Sequence, residues 1–198
     1  MIFVVDNFFE PQEFKMVVDE VKKLHFFSDV DDKINEEMDE SGKDYKGLKP
    51  SKYPGSRTDA LAVVNPLLAS FVLNKIEKTG VPFANNGYNW SSTQHAYLRL
   101  EGDNKGEYIH QDQCDWVFVI YLSATNLDSG TKVYLSTENV GKNAFEENLQ
   151  ADETAFVRFV QNRAFMFSPA STPHMAWNNH GKDITDGRLT INGFNCYV

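Results

Sequence analysis

The sequence predicts a mainly β fold with flanking helices, an antiparallel barrel or double-sheet jelly roll braced by helices from its first half. Three observations carry this expectation. Short apolar segments recur from residue 93 onward, helix-spaced apolar residues are concentrated in the first half, and the later strands follow one another without crossover helices. At 198 residues the chain most economically forms one domain, residues 1–198, large enough to bury a core without staples. A composition of 41% hydrophobic and 13% aromatic residues, 15 of them Phe, describes a packed protein rather than a disordered one.

Ile2 to Phe9 is apolar and β-prone, and Pro11 opens a helix whose Phe14, Val17, Val18, Val21 and Leu24 recur at helical spacing. Residues 28–59 then turn acidic and polar, with Tyr53-Pro54-Gly55-Ser56 as a turn. A long surface excursion fits this stretch, either a lid over a binding site or a solvated insert. Asn65-Pro66 reads as an N-cap with a first-turn proline, starting a helix through Leu67, Leu68, Phe71, Val72 and Ile76 that ends near Gly80. Strands are expected at 95–100, 108–112, 116–122, 132–135, 164–167 and 188–197, separated by Gly, Asn, Asp and Ser clusters. Phe145 to Val160 is the one later segment expected to hold a helical turn or two.

The formal net charge of -9 excludes an extended nucleic-acid surface, which needs clustered Lys and Arg, and makes a neutral or cationic partner easier to accommodate. The N-terminal Met1-Ile2-Phe3-Val4-Val5-Asp6 lacks the basic lead and long apolar run of a signal peptide, and no segment is long enough to span a membrane. A soluble, cytoplasmic protein is expected. Cys114 and Cys196 form no CxxC and are read as two reduced thiols.

The chemistry-bearing residues are His110-Gln111-Asp112, His174 and Arg188-Leu189-Thr190. Residues two apart on a strand point the same way, so His110 and Asp112 would project together while Gln111 faces away. With a distal His174 they make two imidazoles and one carboxylate, a set that covers one face of Fe(II) and leaves the other open. The following segment, Trp116 to Leu122, is apolar on both faces and therefore buried, which sets the pair beside an interior cavity. Alternation along Arg188 to Phe194 puts Arg188, Thr190 and Asn192 on one face and Leu189 and Ile191 on the other. An inward guanidinium calls for an anion, and bidentate carboxylate binding is what arginine does best. Each residue also has a purely structural reading: a hydrogen-bonded surface pair for His110 and Asp112, a loop histidine for His174, a solvent-facing ion pair for Arg188. His95, on a strand that could neighbour the metal strand, is the competing ligand; His25 reads as structural and His180 as an exposed turn residue.

In order and spacing these elements resemble the Fe(II)/2-oxoglutarate-dependent dioxygenase superfamily, in its prolyl-hydroxylase-like branch. The resemblance rests on Val4 to Phe14, on Gly106-Glu107-Tyr108-Ile109-His110-Gln111-Asp112, and on Phe167-Ser168-Pro169, Pro173-His174 and Gly187 to Phe194, which together span nearly the whole chain. It implies a double-stranded β-helix in which His110, Asp112 and His174 are both the iron ligands and the catalytic centre. Arg188, helped by Thr190, would bind the distal carboxylate of 2-oxoglutarate. Tyr97 resembles the family's cosubstrate-binding tyrosine, though the unusual Glu101 to Gly106 stretch lets the alignment slide and put Arg99 there instead. Ser129-Gly130-Thr131 resembles a shortened Gly-Gly-Glu-Thr turn without its Glu. The implied cofactor is Fe(II), with 2-oxoglutarate and O2 as cosubstrates giving succinate and CO2. Asp112 as a full carboxylate ligand points to hydroxylation rather than halogenation, on a small-molecule or peptide substrate, first an amino-acid or peptidyl side chain. Trp116, Phe118, Phe165, Phe167 and Trp177 are the expected wall residues, and 28–59 the expected specificity element. Two other classes share these features: a cupin-like metal protein that does not use 2-oxoglutarate, and a non-catalytic jelly-roll binding module.

Overall fold

The computed structural model describes residues 1–28, 55–84, 87, 89–103, 109–135 and 154–198. Two antiparallel sheets face one another as a jelly roll. The larger consists of β1 (Ile2–Val5), β8 (Ala164–Phe167), β5 (Trp116–Tyr121), β10 (Arg188–Tyr197), β4 (Trp90–Arg99), β3 (Ser56–Arg57) and β2 (Phe27–Ser28), in that spatial order. The smaller is β7 (Thr154–Phe159), β6 (Asn126–Tyr134) and β9 (His174–Trp177), again in spatial order. On the free side of β9, His110 adds a single bridge to His174.

Period two explains what each face of the large sheet does. Across β4, β10 and β5, Leu98, Ala96, Leu189, Ile191, Trp116, Phe118 and Ile120 lie in one buried cluster with residues of the helices. Val117, Val119, Tyr121, Phe165 and Phe167 point the other way and pack against Val157 and Phe159 of the small sheet. The helical layer is α1 (Pro11–Val21), the single turn α2 (Leu61–Val64) and α3 (Pro66–Glu77). Both long helices start as the sequence requires. Pro11 opens α1 while Glu13 accepts the Glu10 backbone N–H at 2.9 Å, and Asn65 caps α3 by accepting from the Leu68 N–H at 3.1 Å. Lys75 of α3 reaches Glu13 of α1 at 2.6 Å and ties the two together.

Several expectations are corrected. β1 ends at Val5 because the chain turns at Asn7, whose φ is +52°, so Phe8 and Phe9 enter the core from a loop. No strand runs through 109–112: apart from the bridge at His110, that stretch hangs from its neighbours by isolated contacts, and Tyr108 lies outside the described residues. Thr154–Phe159 is a strand instead of helical turns, with Val157 and Phe159 buried and Phe156 and Arg158 exposed in strict alternation; residues 145–153 of that expected helix lie outside the described residues. Ser129-Gly130-Thr131 is no turn but part of β6, where the register irregularity that begins after Asn126 ends at Gly130. Trp116 and Phe118 face the helices and not the barrel interior. Of residues 28–59, those at 29–54 lie outside the described residues, but the two ends meet as the β2–β3 ladder along β4, with Arg57 opposite Tyr97. Among the described residues no helix is long and apolar enough to cross a membrane.

At Gly193 the core leaves no room for a side chain. The residue pairs with Phe118 of β5, and a Cβ added there would stand 2.1 Å from the Phe118 ring. Gly193→Ala is expected to destabilise the protein by about 2 kcal/mol, the usual penalty of overpacking, measured as a lower urea midpoint at unchanged slope.

Candidate metal centre

His110 and His174 are brought together by the backbone before their side chains meet. Each donates its N–H to the other's carbonyl at 3.0 Å, and the rings stand 4.3 Å apart between centroids. Asp112 is held two residues on by its own N–H, which donates to the Ala170 carbonyl at 3.2 Å. The result is a cluster in which one donor atom from each of His110, Asp112 and His174 lies within 4.8 Å of the others. Among the described residues these three are the only grouping of His, Cys, Asp and Glu with the reach to hold a metal ion.

The donor atoms are aimed inward. His174 Nδ1 donates to the Thr172 carbonyl at 2.9 Å, which leaves Nε2 directed at Asp112 Oδ2, 3.3 Å away. Asp112 Oδ2 is buried yet accepts no hydrogen bond of good geometry, so its lone pairs converge with Nε2 on the same space. His110 Nε2 stands 4.0 Å from Asp112 Oδ1. A cation about 2.1 Å from each donor would sit between them after a small closure of the rings, so the residues present fit a divalent metal. Without the ion, charge within the cluster does part of the same work. Burial pushes the Asp112 carboxyl up, but His174 and His110 outweigh it and hold it below the usual carboxylate range. Burial pushes His174 down, yet Asp112 outweighs that and raises it above the ordinary histidine value. Cys114, two residues along, is not in the cluster, and burial and Asp112 push its thiol up to about 12.

The second half of the site lies on the large sheet. In β10, Thr190 is fully buried and pairs with Tyr97 of β4 on one side and Tyr121 of β5 on the other. Arg188, 3% exposed, enters the space between the sheets. Its Nη2 donates to the Gly130 carbonyl at 3.3 Å and to Thr131 Oγ1 at 3.2 Å, and its Cζ is 5.6 Å from the ring centroids of both Tyr121 and Phe159. Gly130 lets β6 approach β7 closely, since a Cβ there would lie 2.3 Å from the Val157 carbonyl oxygen. Tyr121 completes the wall through its hydroxyl, 2.9 Å from Thr131 Oγ1 and donating to the Val157 carbonyl at 3.1 Å. The two halves are in register: His174 pairs with Val133 of β6, so Thr131 is its diagonal neighbour, about 7–8 Å away along the same face.

The other sequence candidates fall in different places. Tyr97 is buried between His95 and Phe194, and Arg99, 2% exposed, pairs with Arg188 across the β4–β10 ladder. His95 is set apart from the triad, its Nδ1 2.9 Å from the Thr58 carbonyl. His25 is exposed at the end of α1. Phe165 and Phe167 line the interior, Phe167 standing edge-on to His174 at 4.9 Å, while Trp177 lies under the Lys132 ammonium at 3.1 Å. Sequence reasoning missed Tyr121 and Phe159 and named Thr131 only as part of a turn, although the alternation of 154–159 marks Phe159 as inward. It also misjudged His180, which is partly buried with its ring 5.3 Å from that of Phe159.

No protein-family model matches the sequence, and no curated protein matches it either. Solved structures do match the fold. The chain is similar to HygX from Streptomyces hygroscopicus, solved with nickel and 2-oxoglutarate bound, at a TM-score of 0.63 and 13% identity over 98% of this chain and 82% of that one. It is similar to a prolyl-4-hydroxylase from Pseudomonas putida at a TM-score of 0.55 and 15% identity over 100% of this chain and 92% of that one. SnoK, a non-heme alpha-ketoglutarate-dependent carbocyclase of nogalamycin biosynthesis, matches at a TM-score of 0.61 and 13% identity over 98% and 78%. The fold is therefore the double-stranded β-helix that 2-oxoglutarate and Fe(II) oxygenases share.

The geometry of the triad makes a first expectation. Mn(II), titrated calorimetrically, binds the wild type, and His174→Ala weakens it about 100-fold or more, whereas His25→Ala does not. Because Asp112 makes His174 easier to protonate than an ordinary histidine, Mn(II) affinity is expected to begin falling already above the ordinary histidine range as the pH is lowered. Equal affinity in the wild type and in His174→Ala would remove His174 from the metal's ligands.

Proposed function

We propose that this protein is an Fe(II)- and 2-oxoglutarate-dependent dioxygenase that hydroxylates an unactivated C–H bond. The observation that carries the reading is the spacing of two groups on one inner face. A His-Asp-His cluster stands diagonally across β6 and β9 from Thr131, and Thr131 in turn binds the buried Arg188 guanidinium. A five-carbon dicarboxylate bridges such a separation, with one end at the metal and the other at the arginine.

His110, Asp112 and His174 would hold the iron by two imidazole nitrogens and one carboxylate oxygen, leaving the remaining positions for cosubstrate and O2. Bound there, iron with 2-oxoglutarate supplies the oxidative chemistry: O2 is consumed, one oxygen atom goes to succinate as CO2 is lost, and the other enters the substrate C–H bond. Everything else is the work of the chain's own residues. Thr172 fixes the His174 tautomer, so that Nε2 is presented to the metal. Arg188 binds the distal carboxylate, and Thr190 and Tyr97 line the path between the two ends of the cosubstrate. Tyr121, Thr131 and Gly130 fix the guanidinium before the cosubstrate arrives, so little ordering is left for binding to supply. Phe165, Phe167, Val117 and Val119 keep water away from the reacting centre.

The substrate we assign is a small molecule or an amino-acid or peptidyl side chain. Two similar structures support that range: the Pseudomonas putida prolyl-4-hydroxylase, and HygX with hygromycin B bound. Residues 28–59 are the assigned specificity element, since their described ends pair with each other and β3 borders β4 with Arg57 directly opposite Tyr97.

Anaerobic addition of Fe(II) and 2-oxoglutarate is expected to give a visible metal-to-ligand charge-transfer band that His174→Ala loses. Arg188→Met is expected to weaken 2-oxoglutarate binding about 100-fold while leaving Mn(II) affinity intact. Admission of air should release succinate. A wild-type protein with no band and no succinate would sink the reading, and undiminished turnover by Arg188→Met would favour a cupin-like metal protein that does without 2-oxoglutarate.

A further inference from the structure

Cys114 and Cys196, the only two cysteines of the chain, have no part in the mechanism above. Both are free and half-buried, and the backbone brings them together where the loop carrying His110 and Asp112 enters β5. Trp116, the first residue of β5, stands opposite Asn195 of β10. Asp115, the residue before it, also donates its N–H to the Asn195 carbonyl, at 2.9 Å. Two residues of one strand thus stand against one of the other, the pattern of a β-bulge, and the register moves on by one. One step beyond that bond the two strands present Cys114 and Cys196 to each other.

The sulfurs agree with the backbone. Cys196 Sγ lies 4.0 Å from the carbonyl of Gln113, the residue just before Cys114. The Cys114 sulfur in turn meets the backbone of Asn195, the residue just before Cys196, and the two thiols are close enough to act on one another electrostatically. Residues directly opposite in an antiparallel pair have Cα atoms about 4.5–5.5 Å apart, and a disulfide takes about 4.4–6.8 Å, so the bond closes with little movement of the backbone.

What such a bond would hold is the loop that brings two of the three donors to the metal centre. His110 is tied there by its backbone bonds to His174, and Asp112 by its N–H to the Ala170 carbonyl at 3.2 Å, while the Ala170 N–H returns to the Asp115 carbonyl at 3.2 Å. A metal leaves a cluster when its ligands swing away, and a segment held by few bonds opens most readily. A covalent tie from Cys114 to β10 restricts that swing.

Resting for its second half on the His-Asp-His cluster as a metal site, we propose that Cys114 and Cys196 are a pair oxidised reversibly by hydrogen peroxide, whose disulfide staples the loop of His110 and Asp112 to β10 and slows loss of the metal. The Cys196 sulfur attacks the O–O bond, keeps one oxygen as a sulfenic acid and releases the other as water. The Cys114 sulfur then displaces that hydroxyl, which leaves as a second water with the Cys114 proton. Two thiols lose two electrons and the peroxide gains them. Burial and Asp112 keep the Cys114 thiol protonated, so Cys196 is the sulfur that meets the oxidant first.

The test treats full-length protein loaded with Mn(II) with hydrogen peroxide and maps it by mass spectrometry without reductant. The expected result is an intact mass lower by two hydrogens, one peptide pair joined through Cys114 and Cys196, and recovery of both thiols with dithiothreitol. Oxidised protein should then release Mn(II) to EDTA several-fold more slowly than reduced protein, whereas peroxide leaves the release rate of Cys196→Ser unchanged; Cys114→Ser gives the same control if that variant does not fold. Unreacted thiols, oxygen added without the cross-link, or a link only between two chains would overturn the pair. A cross-link that leaves Mn(II) release unchanged or faster would overturn the staple. A reduced wild type that does not bind Mn(II) would overturn the metal centre instead, while the cross-link still decides the pair.

Discussion

Pairing of β10 with β4 on one side and β5 on the other is the constraint from which the interior follows. Along ten residues it commits Leu189 and Ile191 to the helical layer and Arg188 and Thr190 to the space between the sheets. A slip of one residue would drive a guanidinium into the apolar cluster with Val72 and Ile76 and hand the site two aliphatic side chains. The helices matter to the site for this reason although they contribute no residue to it. By burying Val17, Val21, Leu68, Val72 and Ile76 against the outer face they make the register expensive to change.

The inner face holds what a core normally excludes. Arg99, Arg188 and His174 are buried, and Asp112 nearly so, in a chain whose formal net charge is -9. Net charge describes the solvated surface and says little about the interior, where the two arginines stand opposite one another on adjacent strands. The expectation of a neutral or cationic partner, drawn from the sum over the chain, has no bearing on that inner face. Burial of such groups is tolerated because backbone carbonyls and hydroxyls have been set to meet them: Thr172 for His174, Gly130 and Thr131 for Arg188.

Much of this was legible in the sequence, for reasons that also explain what was not. Period-two alternation marked Arg188 and Thr190 as sharing a face, and Asn65-Pro66 marked the start of α3, because both signals are local. Residue type suggests the pairing of His110 with His174 but does not fix it, since sixty-three residues separate them and one backbone bridge joins them. A strand through 108–112 was expected because H-x-D needs its side chains on one side. The protein achieves that with a loop held at Ala170 and at His174, which no periodicity records. Trp116 and Phe118 belong to a strand buried on both faces, where pattern alone cannot say which face meets the cavity and which the helices. His180 was misread because polar neighbours on a turn suggest exposure, while its ring turns inward onto Phe159, a partner twenty-one residues back in the chain.

The likeness to proteins of 15% identity or less has its physical counterpart in this division of labour. A register of strands needs only that apolar residues alternate with others, a requirement many sequences meet, whereas the site needs a few residue types at a few register positions. Those positions fall on separate supports. His110 and Asp112 lie on the loop before β5, His174 on the small sheet, Arg188 and Thr190 on the large one. Among the described residues the two sheets are joined beside these positions by packing, by the Arg188 contacts to β6, and by the Tyr121 hydroxyl, which meets Thr131 and the Val157 carbonyl. Strand β6 carries Thr131 and, two residues on, Val133, the partner of His174, so one strand stands beside both the His-Asp-His cluster and the guanidinium. The spacing of His174 from the Arg188 contacts is thus set by one strand, β6, whereas His110 and Asp112 depend on the loop before β5 and its backbone bonds to His174 and Ala170.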